Sequence, residues 1–376
     1  MKPLGLYIHI PFCVKKCHYC DFYSLCHSVA LEREYIEALC RHMREEAHLY
    51  RDRSVDTVFL GGGTPSVLSV DSIEELFSAI KECFTLSENA EITLEANPGT
   101  LNREKLTAYR RVGINRLSVG LQSTNEGELC TLGRIHSLTQ FAEGYNLARE
   151  CGFDNISVDV MYGLPSQKIE DFAKTLDHVC DFAPEHISAY CLKIEENTPF
   201  GKMEDKLSLP NEDEEYEMYM LLCEKLKGFG YEQYEISNFS KKGYYSRHNM
   251  KYWQSLEYVG FGPAAHSYFD GCRCYYDRDI EKYIHKPEKV FDCENDGQSV
   301  AKIDKMDEYV MLKLRLCQGV REDEFFERFS TPFTVEYPLV NKFVESGHMV
   351  HENGAYRMNS KGFFVSNYIL TEILHF

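Results

Sequence analysis

Cys13, Cys17 and Cys20 stand in one eight-residue loop, Cys13-Val-Lys-Lys-Cys17-His-Tyr-Cys20, with the spacing C-x3-C-x2-C. Thiolates are soft ligands, and such a loop can hold three irons of a cubane [4Fe-4S] cluster, leaving the fourth iron without a protein ligand. Two other readings use the same thiols. One is a structural zinc site completed by His18, Cys26 or His27, and the other is a ferredoxin-like carrier with a fourth cysteine. Zinc sites usually come as two spaced pairs, and no second C-x2-C occurs, so the spacing favours the cluster.

Three further features carry chemistry. Gly61-Gly62-Gly63-Thr64-Pro65 leaves backbone groups unshielded for close approach by a ligand, and without a following Lys-Ser/Thr it is not a phosphate-binding P-loop. Glu95 and Asp159 are acidic residues in otherwise apolar runs, costly if buried alone. A ligand with hydroxyl and amino donors would satisfy them, and so would an internal ion pair with Arg134. Arg247 to Trp253 gathers a His, a Tyr and the chain's one Trp beside a cation. These are the residue types of a haem site, although a His among aromatics is also an ordinary hydrogen-bonded packing residue.

These residues must be positioned by regular elements. Six short β-branched, apolar runs recur: Leu4 to Ile10, Val55 to Leu60, Glu91 to Ala96, Arg116 to Gln122, Asn155 to Met161 and His186 to Leu192. Helical stretches lie between them at Leu31 to Arg51, Asp71 to Phe84, Asn102 to Val112, Leu138 to Cys151 and Lys168 to Phe182. Such alternation predicts an α/β fold with a parallel sheet, doubly wound or curled into a barrel. Cys13, the glycine triplet, Glu95, Gln122 and Asp159 fall at or near strand carboxyl ends, where parallel α/β folds bind ligands. Regularity fades after about residue 200. From Asp304 a helical run, a second helix at Arg321 to Phe329 and two short strands near Met349 and Tyr356 suggest a helical or winged-helix-like module. That module carries nine Lys/Arg against eleven Asp/Glu, without the basic face of a DNA-binding winged helix.

The 376 residues carry 41 Lys+Arg and 59 Asp+Glu, a net charge of −18 that argues against nucleic-acid partners. Neither a transmembrane span nor a signal peptide is evident, and a cytoplasmic location is expected. Membrane contact would be peripheral, through a partner. The cysteine count of 15 is odd, so the remaining twelve, Cys293 among them, are expected to be mostly reduced thiols.

The cysteine loop after Tyr7-Ile-His-Ile-Pro11-Phe12, with the Gly61 to Pro65 turn, resembles the radical S-adenosylmethionine (SAM) superfamily. Glu95-Ala-Asn97-Pro98, Gly120-Leu-Gln122-Ser123, Leu132-Gly133-Arg134 and Asp159-Val-Met-Tyr162-Gly163-Leu164-Pro165 narrow the likeness to the oxygen-independent coproporphyrinogen III oxidase (HemN-like) family, over nearly the whole chain. Arg247-His248-Asn249-Met-Lys-Tyr252-Trp253, with Gly260 to Ser267, resembles that family's haem-chaperone branch. The resemblance implies a partial (β/α)6 barrel over residues 1–205, a connecting and haem-contacting region at 206–296, and the C-terminal module at 297–376. It implies a [4Fe-4S] cluster on Cys13, Cys17 and Cys20. SAM is then contacted by Tyr7, Tyr19, Gly62, Gly63, Thr64, Glu95, Gln122, Arg134 and Asp159, with Lys193 contributing backbone near the adenine. Haem, or another tetrapyrrole, is the implied cargo, with His248 as its candidate ligand; by residue type His266, Cys272 and Cys274 are other donors, although Cys272-Arg-Cys274 reads rather as a pair of ordinary thiols. Acceptor haemoproteins are the implied partners, and no residue is assigned a catalytic role.

Two functions are compatible with these parts. One is a chaperone that binds haem and passes it on. The other is the oxidase of porphyrin biosynthesis, whose 5′-deoxyadenosyl radical turns porphyrinogen propionates into vinyls. The oxidase loop continues to a fourth cysteine two residues on, where this chain has Phe22, and a substantial segment precedes its cluster, whereas the first strand here starts near Leu4. Both differences favour the chaperone.

Overall fold

The computed structural model describes residues 1–291 and 302–375, so Cys293 and part of the expected connecting region lie outside the described residues. Two compact units are present. The first comprises Met1–Pro210 and the segment that starts at Glu257. The second comprises Asn211–Leu256 and the C-terminal residues. The stretch 206–296 is thus shared between them.

In the first unit the strands β1 (Lys2–Ile10), β2 (Arg53–Gly62), β3 (Leu86–Ala96), β4 (Arg116–Gln122), β5 (Ile156–Tyr162) and β6 (His186–Cys191) pair in that order, all parallel. They are the strands of a partial (β/α)6 barrel. Between them run α1 (Val29–Glu46), α2 (Val70–Cys83), α3 (Arg103–Val112), α4 (Glu126–Leu132), α5 (Leu138–Glu150) and α6 (Ile169–Asp181). The strand alternation sorts side chains between two faces. Leu4, Leu6, Ile8 and Ile10 of β1 are fully buried. They share the core with the apolar stripes of α1 (Tyr35, Ile36, Leu39, Met43) and α2 (Ile73, Leu76, Phe77, Ile80). Tyr7, Glu95, Ser118 and Asp159, on the alternate positions, face the barrel interior.

The helix ends follow local chemistry. The Ser69 hydroxyl accepts from Ser72 N–H at 3.2 Å, and the Asn102 carbonyl oxygen from Lys105 N–H at 2.9 Å. Ser137 and Gln140 form a capping box on α5.

The sheet extends beyond the six expected strands. Strand β7 (Tyr258–Phe261) pairs parallel with β1 on the side away from β2. An antiparallel meander of His266–Phe269, Cys272–Tyr276 and Lys289–Phe291 continues from it. The strand carrying the cysteine loop is therefore an interior strand.

In the second unit, helix Lys302–Lys313 and helix Glu322–Phe329 accompany a small antiparallel sheet of Val320–Arg321, Ala355–Met358 and Met349–Glu352. This is the winged-helix-like module. Among the described residues no helix is long and apolar enough to cross a membrane.

Candidate functional site

The cysteine loop is fixed at both ends by backbone hydrogen bonds. Gly63 N–H donates to Ile10 O at 2.8 Å and Thr64 N–H to Phe12 O at 2.7 Å, so the glycine turn is zipped to the segment that leads into Cys13. A Cβ on Gly63 would stand 2.7 Å from Phe12 O. At Gly62, where φ is +107°, a Cβ would run into the His9 ring. At the far end His18 N–H donates to Leu132 O at 3.0 Å, while its ring Nδ1 lies 2.9 Å from Thr131 O.

A chain of side-chain contacts joins two of the thiols. Cys13 Sγ lies 3.4 Å from Thr64 Oγ1, and Asn97 Nδ2 donates to that same oxygen at 3.0 Å. Asn97 Oδ1 accepts from Arg134 Nη2 at 2.6 Å, and Arg134 Nη1 donates to Cys17 Sγ at 3.6 Å. Arg134 Nη2 also donates to Gly120 O at 2.5 Å, while its buried Nε has no partner. Burial pushes the Cys20 thiol up to about 11 and raises that of Cys13. A bound metal centre would supply the positive charge that takes those protons off.

A structural zinc site would need a fourth ligand beside the three thiols. Of the three residues proposed to complete a zinc site, His27 pairs with Glu32 through Nε2, His18 Nδ1 lies 2.9 Å from Thr131 O, and Cys26 is exposed. A cubane with one open iron asks only for the three thiolates. With an orphaned Arg134 Nε beside them and a glycine cradle that no Cβ could enter, these residues fit a cluster with a bound ligand.

Glu95 and Asp159 flank the same opening. Each is half-buried by surface area yet lies deep in the lumen, surrounded by protein. Glu95 Oε2 accepts from Gly62 N–H at 3.1 Å, and Ser118 Oγ lies 3.3 Å from Asp159 Oδ1. Burial, then the nearby Asp159, pushes Glu95 up to about 8, against the pull of Gly62 N–H and Arg116. Asp159 is raised by burial and drawn back by Ser188, Arg116, Ser118 and Arg134. The internal ion pair with Arg134 is not formed: among the described residues neither carboxylate makes any salt bridge. Both keep lone pairs for a ligand.

The other expected residues surround these two. Gln122 ends β4 at a register break after Gly120, with φ +72°. The Tyr7 hydroxyl lies 3.0 Å from His9 Nδ1, whose Nε2–H is given to Tyr23 O at 2.9 Å. That tautomer suits a ring whose pKa burial lowers to about 4. Tyr19 packs on Leu132, Met161, Leu164, Leu192 and Phe200. The Lys193 ammonium is exposed and pairs with Glu195 at 2.7 Å, which leaves only its backbone for a ligand role.

The His248 segment, in the second unit, forms a short helix, Arg247–Trp253, opened by Ser246, whose hydroxyl accepts from Asn249 N–H at 3.5 Å. His248 is fully buried and its Nε2 lies 2.9 Å from the Tyr252 hydroxyl. In the first unit His266 is exposed and stacks on Tyr275 at 5.3 Å, Cys272 is exposed and Cys274 buried.

Sequence reasoning overlooked Asn97, Ser118, Ser188 and Arg116. Asn97 stands inside the Glu95-Ala-Asn97-Pro98 motif, and Ser118 and Arg116 sit two and four residues before Gly120 on the same strand. Period-two spacing is the signal that would have found them.

The chain matches the radical SAM superfamily over residues 7–179 and the HemN C-terminal domain over residues 300–365. It is 35% identical to the heme chaperone HemW of Bacillus subtilis, covering 92% of each chain, and 33% identical to that of Escherichia coli, covering 98% of each. Among solved structures it resembles the E. coli coproporphyrinogen III oxidase HemN with a TM-score of 0.85 at 22% identity, over 98% of this chain and 89% of that one. That last likeness shows the fold. At this identity over nearly the whole of several HemW chains, the protein belongs to the HemW heme chaperone family of the radical SAM superfamily.

Proposed function

We propose that the protein holds a [4Fe-4S] cluster on Cys13, Cys17 and Cys20, binds SAM in the lumen beside it, and carries haem for transfer to acceptor haemoproteins. The observation that carries the first part is the contact chain Cys13–Thr64–Asn97–Arg134–Cys17 running past two carboxylates that have no cation partner. When bound, such a cluster offers an open iron to the methionyl amino and carboxylate groups, and an electron for the sulfonium.

This chain's residues would then act by position. Glu95, Asp159 and Gln122 accept from the ammonium and ribose hydroxyls, and Arg134 faces the carboxylate. Gly62 and Gly63 let the main chain approach, Tyr7 and Tyr19 wall the pocket, and Lys193 lends backbone near the adenine. The haem part rests on the name its relatives carry and on the Arg247–Trp253 helix. His248 can ligate iron through Nε2 only once Tyr252 releases it. Coproporphyrinogen oxidation is the second reading, compatible with the same fold. Against it, Phe22 stands exposed two residues after Cys20.

The test is anaerobic reconstitution, followed by iron and sulfide analysis, haem titration, and mass spectrometry of coproporphyrinogen III incubated with SAM and a low-potential reductant. Haem binding and transfer to an apo-haemoprotein, without porphyrinogen decarboxylation, is the expected result. Decarboxylation over multiple turnovers would instead make the protein an oxidase.

A further inference from the structure

Arg116 is the largest side chain in the fully buried core, 2% exposed, and its Nε has no hydrogen-bond partner. An isolated buried guanidinium is costly, so its environment must compensate it. The register shows how. Arg116 pairs with Thr93 of β3, and Ser118, two residues on, pairs with Glu95; across the next ladder Ser118 pairs with Ser157 and Gly120 with Asp159. Arg116 therefore lies on the lumen face, by register one layer below Glu95 and two below Asp159. Beside it are Thr93, whose buried Oγ1 also lacks a partner, and the His186–Ser157 pair, with Nδ1 2.7 Å from Oγ. It makes no ion pair with either carboxylate, yet its charge acts on both, and on His186, which is held neutral by burial and by that charge. The other titratable or charged groups facing this layer are Tyr7 from β1, Glu91 lower on β3, and Tyr19 and Arg134 at the mouth.

We propose that Arg116 is a positioning residue for SAM: a fixed cation under the lumen floor that lets Glu95 and Asp159 both ionise when the ligand arrives, without occupying their oxygens. A direct ion pair would give the same charge balance but consume the acceptors that ribose hydroxyls and the methionyl ammonium need. A charge lower on the lumen face stabilises both anions and leaves their lone pairs free. The inference rests on the SAM-site reading above.

The test measures SAM affinity by equilibrium dialysis on anaerobically reconstituted protein from pH 6.5 to 9. Removing the charge in Arg116→Gln raises the pH at which the carboxylates ionise. The variant should bind at least about tenfold more weakly than wild type at pH 7.5, the effect of one pKa unit, and recover toward pH 9. Arg116→Lys, which keeps the charge, should remain within about threefold. A loss in Arg116→Gln that is equal at every pH, or shared by Arg116→Lys, would overturn the proposal in favour of a packing role.

Failure of the underlying reading gives a different result: Glu95→Gln and Asp159→Asn would then bind SAM as wild type does. Should Arg116→Gln not fold, infrared difference spectra of wild type decide. At pH 7.5 the SAM-bound protein should show no protonated-carboxyl band that vanishes in Glu95→Gln, and the presence of one would overturn the proposal.

Discussion

Asn97 touches neither thiol, yet it joins the side chains that touch Cys13 and Cys17. Replacing it by Ala leaves Thr64 Oγ1 and Arg134 Nη2 each without one half-buried partner, a cost of about 1–3 kcal/mol. Asn97→Ala is expected to take up iron and sulfide but to lose its cluster faster in air, read as decay of visible absorbance. A decay rate equal to wild type would remove Asn97 from the cluster's support. Glu95 carries a second consequence, worked out from its shift. Its carboxyl is raised from about 4.5 to about 8, so between those values the folded protein binds more protons than the unfolded chain. Stability of the ligand-free protein should therefore fall as pH rises from about 4.5 to about 8 and level off above. Glu95→Gln removes this dependence, and denaturant melts at pH 5 and pH 8 should show its advantage over wild type growing with pH. SAM, by pairing with the anion, should reverse the trend in the wild type.

At the scale of elements, the glycine turn after β2 is the least tolerant point. Gly62→Ala places a Cβ 2.4 Å from the His9 ring at φ +107°, so His9 must leave Tyr7 and Tyr23 or the turn must open. A loss of stability above about 2 kcal/mol is expected, with impaired cluster retention, measured by thermal melt and iron content. Wild-type melting and iron content in this variant would show that the turn gives way easily.

The strands that carry the site were the most legible part of the sequence, because alternation and terminal glycines mark them. The reading of Arg116 to Gln122 matches β4 at both ends. The start of β3 was not visible, since Ser87-Glu88-Asn89 reads as a loop and becomes strand only through tertiary pairing. Helix α4 is seven residues long, too short for a period to emerge, and is set by its Asn125 cap and by Gly133 at φ +75°. Strand β7 is four residues with a central glycine, and its partner β1 lies some 250 positions earlier in the chain. Within the site, acids in apolar runs stood out. Arg116 did not, because a basic residue opening a strand looks like a solvent-facing end, and only the barrel turns it inward.

At the scale of the whole molecule, the two candidate functions lie in different compact units, Cys13, Cys17 and Cys20 in one and His248 in the other. Substitutions at sites far apart in the chain that belong to separate compact units are expected to act independently. His248→Ala should thus weaken haem binding while iron and sulfide content stay at wild-type levels. Cys17→Ala should lose the cluster, and any haem affinity it keeps reports donors that do not depend on the cluster. A His248→Ala protein with unchanged haem affinity would move the ligand to another donor, His266 first.

The interior place of β1 also matters while the chain is being made. Its Lys2–Ile10 backbone leaves the ribosome well before its partner strand, so the edge opposite β2 stays open until Tyr258–Phe261 emerges. At roughly 5–20 residues per second, that is on the order of ten to fifty seconds during which the strand next to the cysteines is an unpaired template. Nascent chains are therefore most exposed to mispairing, and to chaperone capture, in the interval before the seventh strand arrives. A chain stopped at residue 210 would keep that edge permanently, and it should aggregate even though all six barrel strands are present.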